Sequence, residues 1–249
     1  MDTIILAGGY AKRMNPTTNE VPKQLLPVAG KPMLSYVLDS LENLYLKKKG
    51  TCYISVNKKH EKDFENFLSY KKPNFSVKLA VEDTNSESQK LGSIGALNEI
   101  KVNNSEDILV IGGDNLLSLN ILEFLDFYES NNNRSLVALY DIKNKEQSKL
   151  YGVVEIDNNS KKILDFEEKP NNPKSTLVST ALYLFKKSDF IRISDYVKQI
   201  ENKDTLGKYL KWLVEEDNPG INGFVFDGFW FDIGDHSSYE EANKLLRKI

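Results

Sequence analysis

Short apolar segments alternate with segments of helical periodicity through the first 140 residues of the chain. The patterns predict strands over residues 3–7, 51–56, 77–81, 107–112 and 135–140, and helices over residues 33–48, 59–69, 92–100 and 119–128. Parallel neighbouring strands need a long crossover, usually a helix, so this alternation favours a mostly parallel sheet with helices on both faces. In such sheets ligands bind beyond the carboxyl ends of the strands. We therefore expect functional residues in segment 8–23 and just after residue 111.

The second half of the chain mixes strands and helices less regularly. It predicts strands over residues 152–156, 162–167, 177–185 and 221–226, with a turn at 157–160, and helices over residues 205–215 and 237–247. The sequence contains no internal repeat, linker or low-complexity tract. We therefore expect one domain over residues 1–249, with a first part of about 1–140 and a second of about 141–249.

Charge and apolar patterning exclude several classes of protein. The formal net charge is −3, so the chain lacks the basic footprint of a nucleic-acid binder. It has no run of 18 apolar residues that could span a membrane, and Gly8-Gly9 arrives too early for a signal peptide. The single cysteine, Cys52, rules out an internal disulfide, favours a reducing compartment and reads as a buried packing residue. We expect a cytoplasmic protein without nucleic-acid or membrane partners.

The first candidate site follows the first strand. Gly8-Gly9 allows backbone N–H groups to approach phosphate oxygens closely, and Arg13 and Lys23 add positive charge. A plain turn with solvated cations is the alternative reading of a lone Gly-Gly pair. The two cations and the segment PKQLLP at 22–27 favour phosphate binding. The segment matches neither the P-loop nor the dinucleotide-binding pattern.

Two aspartates could hold a metal ion. Asp114 lies in the segment GGDN at 112–115, directly after a buried strand, and Asp232 lies in WFDIGD at 230–235. Each alone is more often a turn or capping residue. Together they could supply the one or two carboxylates that Mg²⁺ usually takes besides substrate oxygens.

The segment FEEKP at 166–170 ends another predicted strand and follows YGVV at 151–154. Taken alone, Lys169 would be an ordinary exposed lysine beside two acidic residues. Lys169 is a candidate phosphate contact only because the other motifs are also present in the sequence.

Five segments in order, LAGG, PKQLLPVAGKPML, GGDN, FEEKP and WFDIGD, resemble the sugar-phosphate nucleotidyltransferase family, especially the glucose-1-phosphate thymidylyltransferases. The resemblance runs from residue 1 to about residue 245. It implies a Rossmann-like three-layer α/β/α sandwich with a mixed, mostly parallel central sheet. The first part would bind the nucleotide and the second the sugar phosphate.

The resemblance also implies roles for individual residues. Nucleotide-binding positions are matched by Leu6, Gly8, Gly9, Arg13, Gln24 and Gly92. Arg13 and Lys23 match the catalytic cations. Sugar-phosphate contacts are matched by Asn115, Gly152, Glu168, Lys169 and Tyr183, and the two ligands of Mg²⁺ are matched by Asp114 and Asp232.

The chain also departs from the family pattern. The family loop reads GGxGTR, whereas Ala11 replaces its third glycine and Lys12 its threonine. Glu82 stands where the family has a second base-reading glutamine. No hexapeptide-repeat segment follows Ile249, so we expect no trimer-forming acyltransferase half.

The implied reaction joins a nucleoside triphosphate and a sugar 1-phosphate into an NDP-sugar and releases pyrophosphate. Gln24 and Asn115 favour dTTP or UTP, and glucose 1-phosphate is the favoured sugar. One alternative is a cytidylyltransferase for another acceptor such as phosphocholine, which would need an aromatic cage; another is a non-catalytic regulatory protein that binds nucleotide sugars. His60 and His236 lie outside the motifs and receive no role. A homo-oligomer is compatible with the sequence, which fixes no oligomeric state.

Overall fold

The computed structural model describes residues 1–11, 14, 21–102, 106–131, 134–200, 205–216 and 220–248. Within these residues the strands are β1 (Asp2–Leu6), β2 (Pro27–Val28), β3 (Lys31–Pro32), β4 (Cys52–Asn57), β5 (Val77–Glu82), β6 (Ile108–Gly112), β7 (Asn115–Leu117), β8 (Leu136–Asp141), β9 (Gly152–Ile156), β10 (Ile163–Glu168), β11 (Leu177–Phe185), β12 (Asn222–Val225) and β13 (Trp230–Asp232). The helices are α1 (Met33–Lys47), α2 (Glu61–Lys71), α3 (Gly92–Glu99), α4 (Ile121–Ser130), α5 (Lys145–Ser148), α6 (Lys187–Ile191), α7 (Ile193–Gln199), α8 (Leu206–Glu216) and α9 (His236–Leu246).

The central sheet has nine strands among the described residues. Its main path runs β10-β9-β11-β6-β1-β4-β5, and β8 and β12 extend it beside β11. Strands β6, β1, β4 and β5 are mutually parallel, as the helical crossovers between them require. Strand β11 runs antiparallel to both β6 and β8. The predicted mixed sheet is confirmed.

Helices cover both faces of the sheet. Neighbouring residues of β1 point to opposite faces, as in any strand. Ile5 packs into a core with the apolar residues of α1, α2 and α4, whereas Ile4 packs into a second core with those of α3, α7 and α8. The three-layer sandwich follows from this alternation. It also explains why β1 is buried from Asp2 to Ile5, while Leu6 at its carboxyl end is partly buried.

The local sequence of helix α1 determines where the helix begins and which of its faces is buried. Pro32 precedes it with a fixed backbone angle that suits a helix start. Leu34, Leu38 and Leu41 recur at helical spacing and are fully buried, while Leu46 near the end is exposed. The burial of one stripe holds α1 against the sheet and places the segment that precedes it at the carboxyl end of β1.

Every helix and strand predicted from sequence is present, with ends shifted by at most two residues. Helix α4 begins at Ile121 rather than at 119, because the side chain of Asn120 accepts a hydrogen bond from the Leu122 N–H and caps the helix. The predictions missed the two-stranded ribbons β2–β3 and β7–β13 and the helices α5, α6 and α7. Among the described residues, no helix is both long and apolar enough to cross a membrane.

Candidate active site

The loops after β1 and β6 meet at the carboxyl ends of these two parallel strands. Leu6 pairs with Gly112 at the end of the ladder, and the Gly113 N–H donates to the Leu6 carbonyl at 2.9 Å. The glycine segment of LAGG and the aspartate of GGDN therefore lie side by side. This is the edge of the sheet at which the alternating pattern predicted a site.

The loop after β1 is fixed by side chains from β4 and β5. Asn57 donates to the Gly8 carbonyl at 3.3 Å, and the Tyr10 hydroxyl donates to Thr84 at 3.2 Å. A Cβ on Gly8 would lie 2.9 Å from the carboxyl carbon of Glu82, whereas a Cβ on Gly9 would meet nothing within 4 Å. Glycine is therefore required at position 8 by the close approach of Glu82, while Gly9 borders open space.

The segment PKQLL lies beside this loop as a tight turn at Lys23–Leu25. The Lys23 ammonium donates to the Asp114 carboxylate at 2.6 Å. Gln24 is only 2% exposed, and its Oε1 atom accepts no hydrogen bond from any described residue. A buried polar atom without a partner is costly, so Gln24 is a strong candidate for a ligand contact.

The two predicted metal ligands are brought together by the ribbon β7–β13. Asp232 pairs with Asn115 in this ribbon, and the Ile233 N–H donates to the Asp114 carbonyl at 3.1 Å. The Asn115 Nδ2 donates to Asp114 at 2.9 Å and to Asp232 at 3.5 Å. Its Oδ1 accepts from the Trp230 indole at 2.7 Å, so the amide is held in one orientation.

Charge pairing sets the ionisation of Asp114. Burial alone would raise the pKa of this carboxyl, but the Lys23 ammonium and the Asn115 amide outweigh burial and hold the pKa below its usual range. Asp114 is therefore ionised at neutral pH.

The possible metal ligands suit Mg²⁺ better than a metal ion that is coordinated entirely by protein side chains. Among the described residues no group of three or more His, Cys, Asp or Glu side chains converges. Asp114 and Asp232 provide two carboxylates that both accept from one amide nitrogen. Mg²⁺ is typically bound by one or two carboxylates, with substrate phosphates and water completing its shell.

On the other side of these aspartates, Glu168 lines a second cleft. It pairs with Gly152 in the β9–β10 ladder, and a Cβ on Gly207 would lie 2.8 Å from its carboxyl carbon. Burial raises the pKa of Glu168, and the positive charges of Lys169 and Lys208 oppose the rise. The carboxylate is thus held between two close backbone segments and beside two cations.

Lys169 has a left-handed backbone with φ of 48°, and its N–H donates to the Tyr151 carbonyl at 3.0 Å. Its side chain is exposed and borders the second cleft. Tyr183 lies in the wall of the same cleft, and burial raises its pKa above the usual range, so the hydroxyl stays neutral.

Several residues of the second cleft were not predicted from the sequence. Tyr151 and Trp230 pack edge to face with ring centroids 4.9 Å apart and line the second cleft. Trp230 lies two residues before Asp232, so the twofold periodicity of a strand could have indicated it. Thr205 also lines this cleft, with a buried hydroxyl that has no hydrogen-bond partner among the residues the structure describes, but nothing in the sequence indicated it.

The predicted residues fall into two adjoining clefts of about 410 and 380 Å³. The first is lined by the predicted nucleotide-binding residues and the lysine of PKQLL, namely Leu6, Gly8, Gly9, Lys23, Gln24 and Gly92. The second is lined by the predicted sugar-phosphate residues and a metal ligand, namely Asn115, Gly152, Glu168, Lys169, Tyr183 and Asp232. The clefts share four residues, which are Leu6, Ser93, Asp114 and Ala181.

Arg13, the remaining candidate, lies outside the described residues. His60 and His236 line neither cleft. The candidate residues that the structure describes thus lie in one connected region, with Asp114 at the junction of the two clefts.

Residues 2–249 match the family model of the nucleotidyl transferases. The chain belongs to this family. It is 31% identical over its whole length to the bifunctional protein GlmU of Methanocaldococcus jannaschii, and 29% identical over 99% of its length to a Sulfolobus acidocaldarius protein assigned as a mannose-1-phosphate guanyltransferase. These alignments cover 55% and 63% of the two relatives, so the nucleotidyl transferase chain spans little more than half the length of the curated relatives it matches.

A solved structure of similar fold is that of a Bacillus anthracis protein assigned as a glucose-1-phosphate thymidylyltransferase, in complex with a sucrose. It superposes with a TM-score of 0.83 at 28% identity, covering 100% of this chain and 96% of the other. The family resemblance and the expected nucleotidyltransferase fold are therefore confirmed.

The packing around the glycine loop predicts different effects of two adjacent substitutions. Gly8→Ala should lower the free energy of unfolding by about 1–3 kcal/mol, because the new methyl group collides with the buried Glu82 carboxylate. Gly9→Ala, with open space at its Cβ, should change it by less than about 0.5 kcal/mol. Urea unfolding of both variants measures the difference, and equal stabilities would contradict the described loop.

Proposed function

We propose that this nucleotidyl transferase joins a sugar 1-phosphate to the nucleoside monophosphate part of a nucleoside triphosphate and releases pyrophosphate. We propose dTTP or UTP as the nucleotide, glucose 1-phosphate as the acceptor and Mg²⁺ as the metal. The observation that carries this proposal is the pair of adjoining clefts that share Asp114. Two substrates bound in such clefts would bring their phosphates to the same carboxylate.

The nucleotide would occupy the first cleft. Gly9 leaves the backbone open to phosphate oxygens, and Lys23 supplies a positive charge in the same cleft. Gln24 would contact the base, because its Oε1, which accepts from no described residue, can accept the N3–H of thymine or uracil. Arg13 would draw charge toward the leaving pyrophosphate, as its position in the family motif implies.

The reaction would be a direct displacement. An oxygen of the sugar 1-phosphate forms a bond to the α-phosphorus, while the bond from this phosphorus to the bridging oxygen of pyrophosphate breaks. Two anions must approach each other, so positioning and charge neutralisation matter more than acid–base chemistry. Lys23 and Lys169 lie on the two sides of the shared wall and can each neutralise phosphate charge.

Asp114 and Asp232 are the residues that would hold Mg²⁺, which would neutralise phosphate charge when bound. Asn115 keeps the two carboxylates together through its amide nitrogen. Glu168, Tyr183 and Gly152 would form the sugar side of the second cleft.

The aromatic lining of the second cleft is also compatible with one other acceptor substrate. Tyr151, Phe166, Tyr183 and Trp230 all border it, and Glu168 adds a carboxylate. Aromatic faces with a carboxylate also suit a quaternary ammonium group. Phosphocholine with CTP is therefore the second candidate pair, and it should be assayed beside glucose 1-phosphate.

The paired carboxylates predict a dependence on divalent metal. Asp114→Asn or Asp232→Asn should lower kcat for pyrophosphate release by at least about 10²-fold, because charge stabilisation at the phosphates is lost. Chelator should abolish activity of the wild-type protein, and Mg²⁺ should restore it. Asp126→Asn, on the exposed face of α4, is the matched control and should be fully active. Undiminished activity of both site variants in chelator would rule out the metal assignment.

The position of Lys169 predicts an effect on one substrate only. Lys169→Ala should raise the KM for glucose 1-phosphate by at least about tenfold, the cost of one lost charge-assisted contact, and leave the nucleotide KM nearly unchanged. Lys62→Ala, at an exposed position of α2, should change neither constant. Steady-state kinetics with each substrate varied in turn measures both. Equal changes in the two KM values, or none, would show that Lys169 does not bind the acceptor phosphate.

A further inference from the structure

A buried carboxyl group lies in the nucleotide cleft at the end of β5. Glu82 is 9% exposed, lines the cleft and lies against Gly8. The Ser55 hydroxyl donates to its Oε1 at 2.6 Å. With Ser55 donating to Oε1, Oε2 is the oxygen left to carry a proton.

The carboxyl group makes no ion pair with any described residue. Around it, β4 contributes the Ser55 hydroxyl and the loop after β1 contributes Gly8. The charged residues that border the same cleft are Lys23, Glu87, Lys90 and Asp114, and those of the neighbouring groove behind β5 are Lys78, Asp83, Glu99 and Lys101. Burial raises the pKa of Glu82, and the hydrogen bond from Ser55 offsets this only in part.

A second polar group in the cleft complements this carboxyl. The buried Oε1 of Gln24 accepts no hydrogen bond from any described residue, so it can accept one from a ligand. Thymine and uracil present an N3–H donor beside carbonyl acceptors. An acceptor from Gln24 and a donor from a neutral Glu82 would match that edge, because a neutral carboxylic acid donates and accepts much as an amide does. An ionised Glu82 would only accept, and would match a base that presents an amino group.

We propose that Glu82 is a specificity-determining residue that binds the base in its neutral form and donates its proton to a carbonyl oxygen of uracil or thymine. This inference rests on the proposed function, since it assumes that the first cleft holds the nucleotide. The negative triphosphate in the same cleft further favours the neutral carboxyl. Base selection and proton binding are therefore linked.

The linkage fixes the direction of the pH effect. The neutral form that uracil needs is populated below the folded-state pKa of Glu82 and is lost as pH rises through it. The preference for UTP over CTP should therefore fall with rising pH, by up to about tenfold per unit above that pKa. UTP and CTP are a matched pair, because they differ at the 4-keto or 4-amino edge and carry the same triphosphate.

The test measures kcat/KM for UTP and for CTP with glucose 1-phosphate between about pH 5.5 and 8. The wild-type ratio of UTP to CTP should fall across this range. In Glu82→Gln the ratio should be independent of pH and, at about pH 8, exceed the wild-type ratio by roughly tenfold or more. Glu99→Gln, an exposed carboxyl of α3, is the control and should keep the wild-type profile. A wild-type ratio that is constant with pH, or that favours CTP throughout, overturns the proposal.

A binding measurement separates this inference from the proposed function. Titration calorimetry in buffers of different ionisation enthalpy should show that the wild-type protein takes up more protons on binding UTP than on binding CTP. The difference should vanish in Glu82→Gln; equal uptake by the wild-type protein overturns the inference. If no nucleotide and sugar phosphate release pyrophosphate, the proposed function fails, while proton uptake still decides the role of Glu82. The wild-type profiles suffice if the variant does not fold.

Discussion

The amide of Asn115 is the contact on which the two clefts depend. Its nitrogen donates to Asp114 and Asp232, and its oxygen accepts from Trp230, so one side chain holds three groups from two distant segments. The ribbon β7–β13 makes this possible by pairing Asp232 with Asn115. Without the ribbon, the loop after β6 would carry one aspartate at the edge of a single cleft. With it, Asp114 borders both clefts and Asp232 joins it in the wall of the second.

Burial affects three of the carboxyl groups in the region, Asp114, Glu168 and Glu82, in different ways. All three are shielded from solvent, and this desolvation by itself raises the pKa of a carboxyl group. Lys23 reverses this for Asp114, Lys169 and Lys208 only oppose it for Glu168, and a single hydroxyl opposes it for Glu82. The region thus combines a firmly ionised carboxylate, Asp114, at the junction of the clefts with a carboxyl group, Glu82, that gains a proton more readily.

Much of this region could be predicted from the sequence, because its positions follow strand ends. Alternating patterns located β1 and β6, and glycines with charged residues directly after them indicated Gly8 and Asp114. The ribbon β7–β13 could not be predicted, since each strand has three residues and their partners lie more than a hundred positions apart. The approach of Gly207 to Glu168 could not be predicted either, because it joins two segments that are distant in the sequence. Short-range periodicity carries no information about such long-range pairing.

The central claim is that both substrates bind in adjoining clefts and react directly with each other. Exchange of labelled pyrophosphate into the nucleoside triphosphate tests it most directly. With Mg²⁺ and nucleotide alone, the account predicts no exchange, because pyrophosphate leaves only when the acceptor phosphate attacks. Addition of the NDP-sugar and pyrophosphate should produce labelled triphosphate. Exchange with nucleotide alone would mean that the chain itself accepts the nucleotidyl group, and would contradict direct transfer.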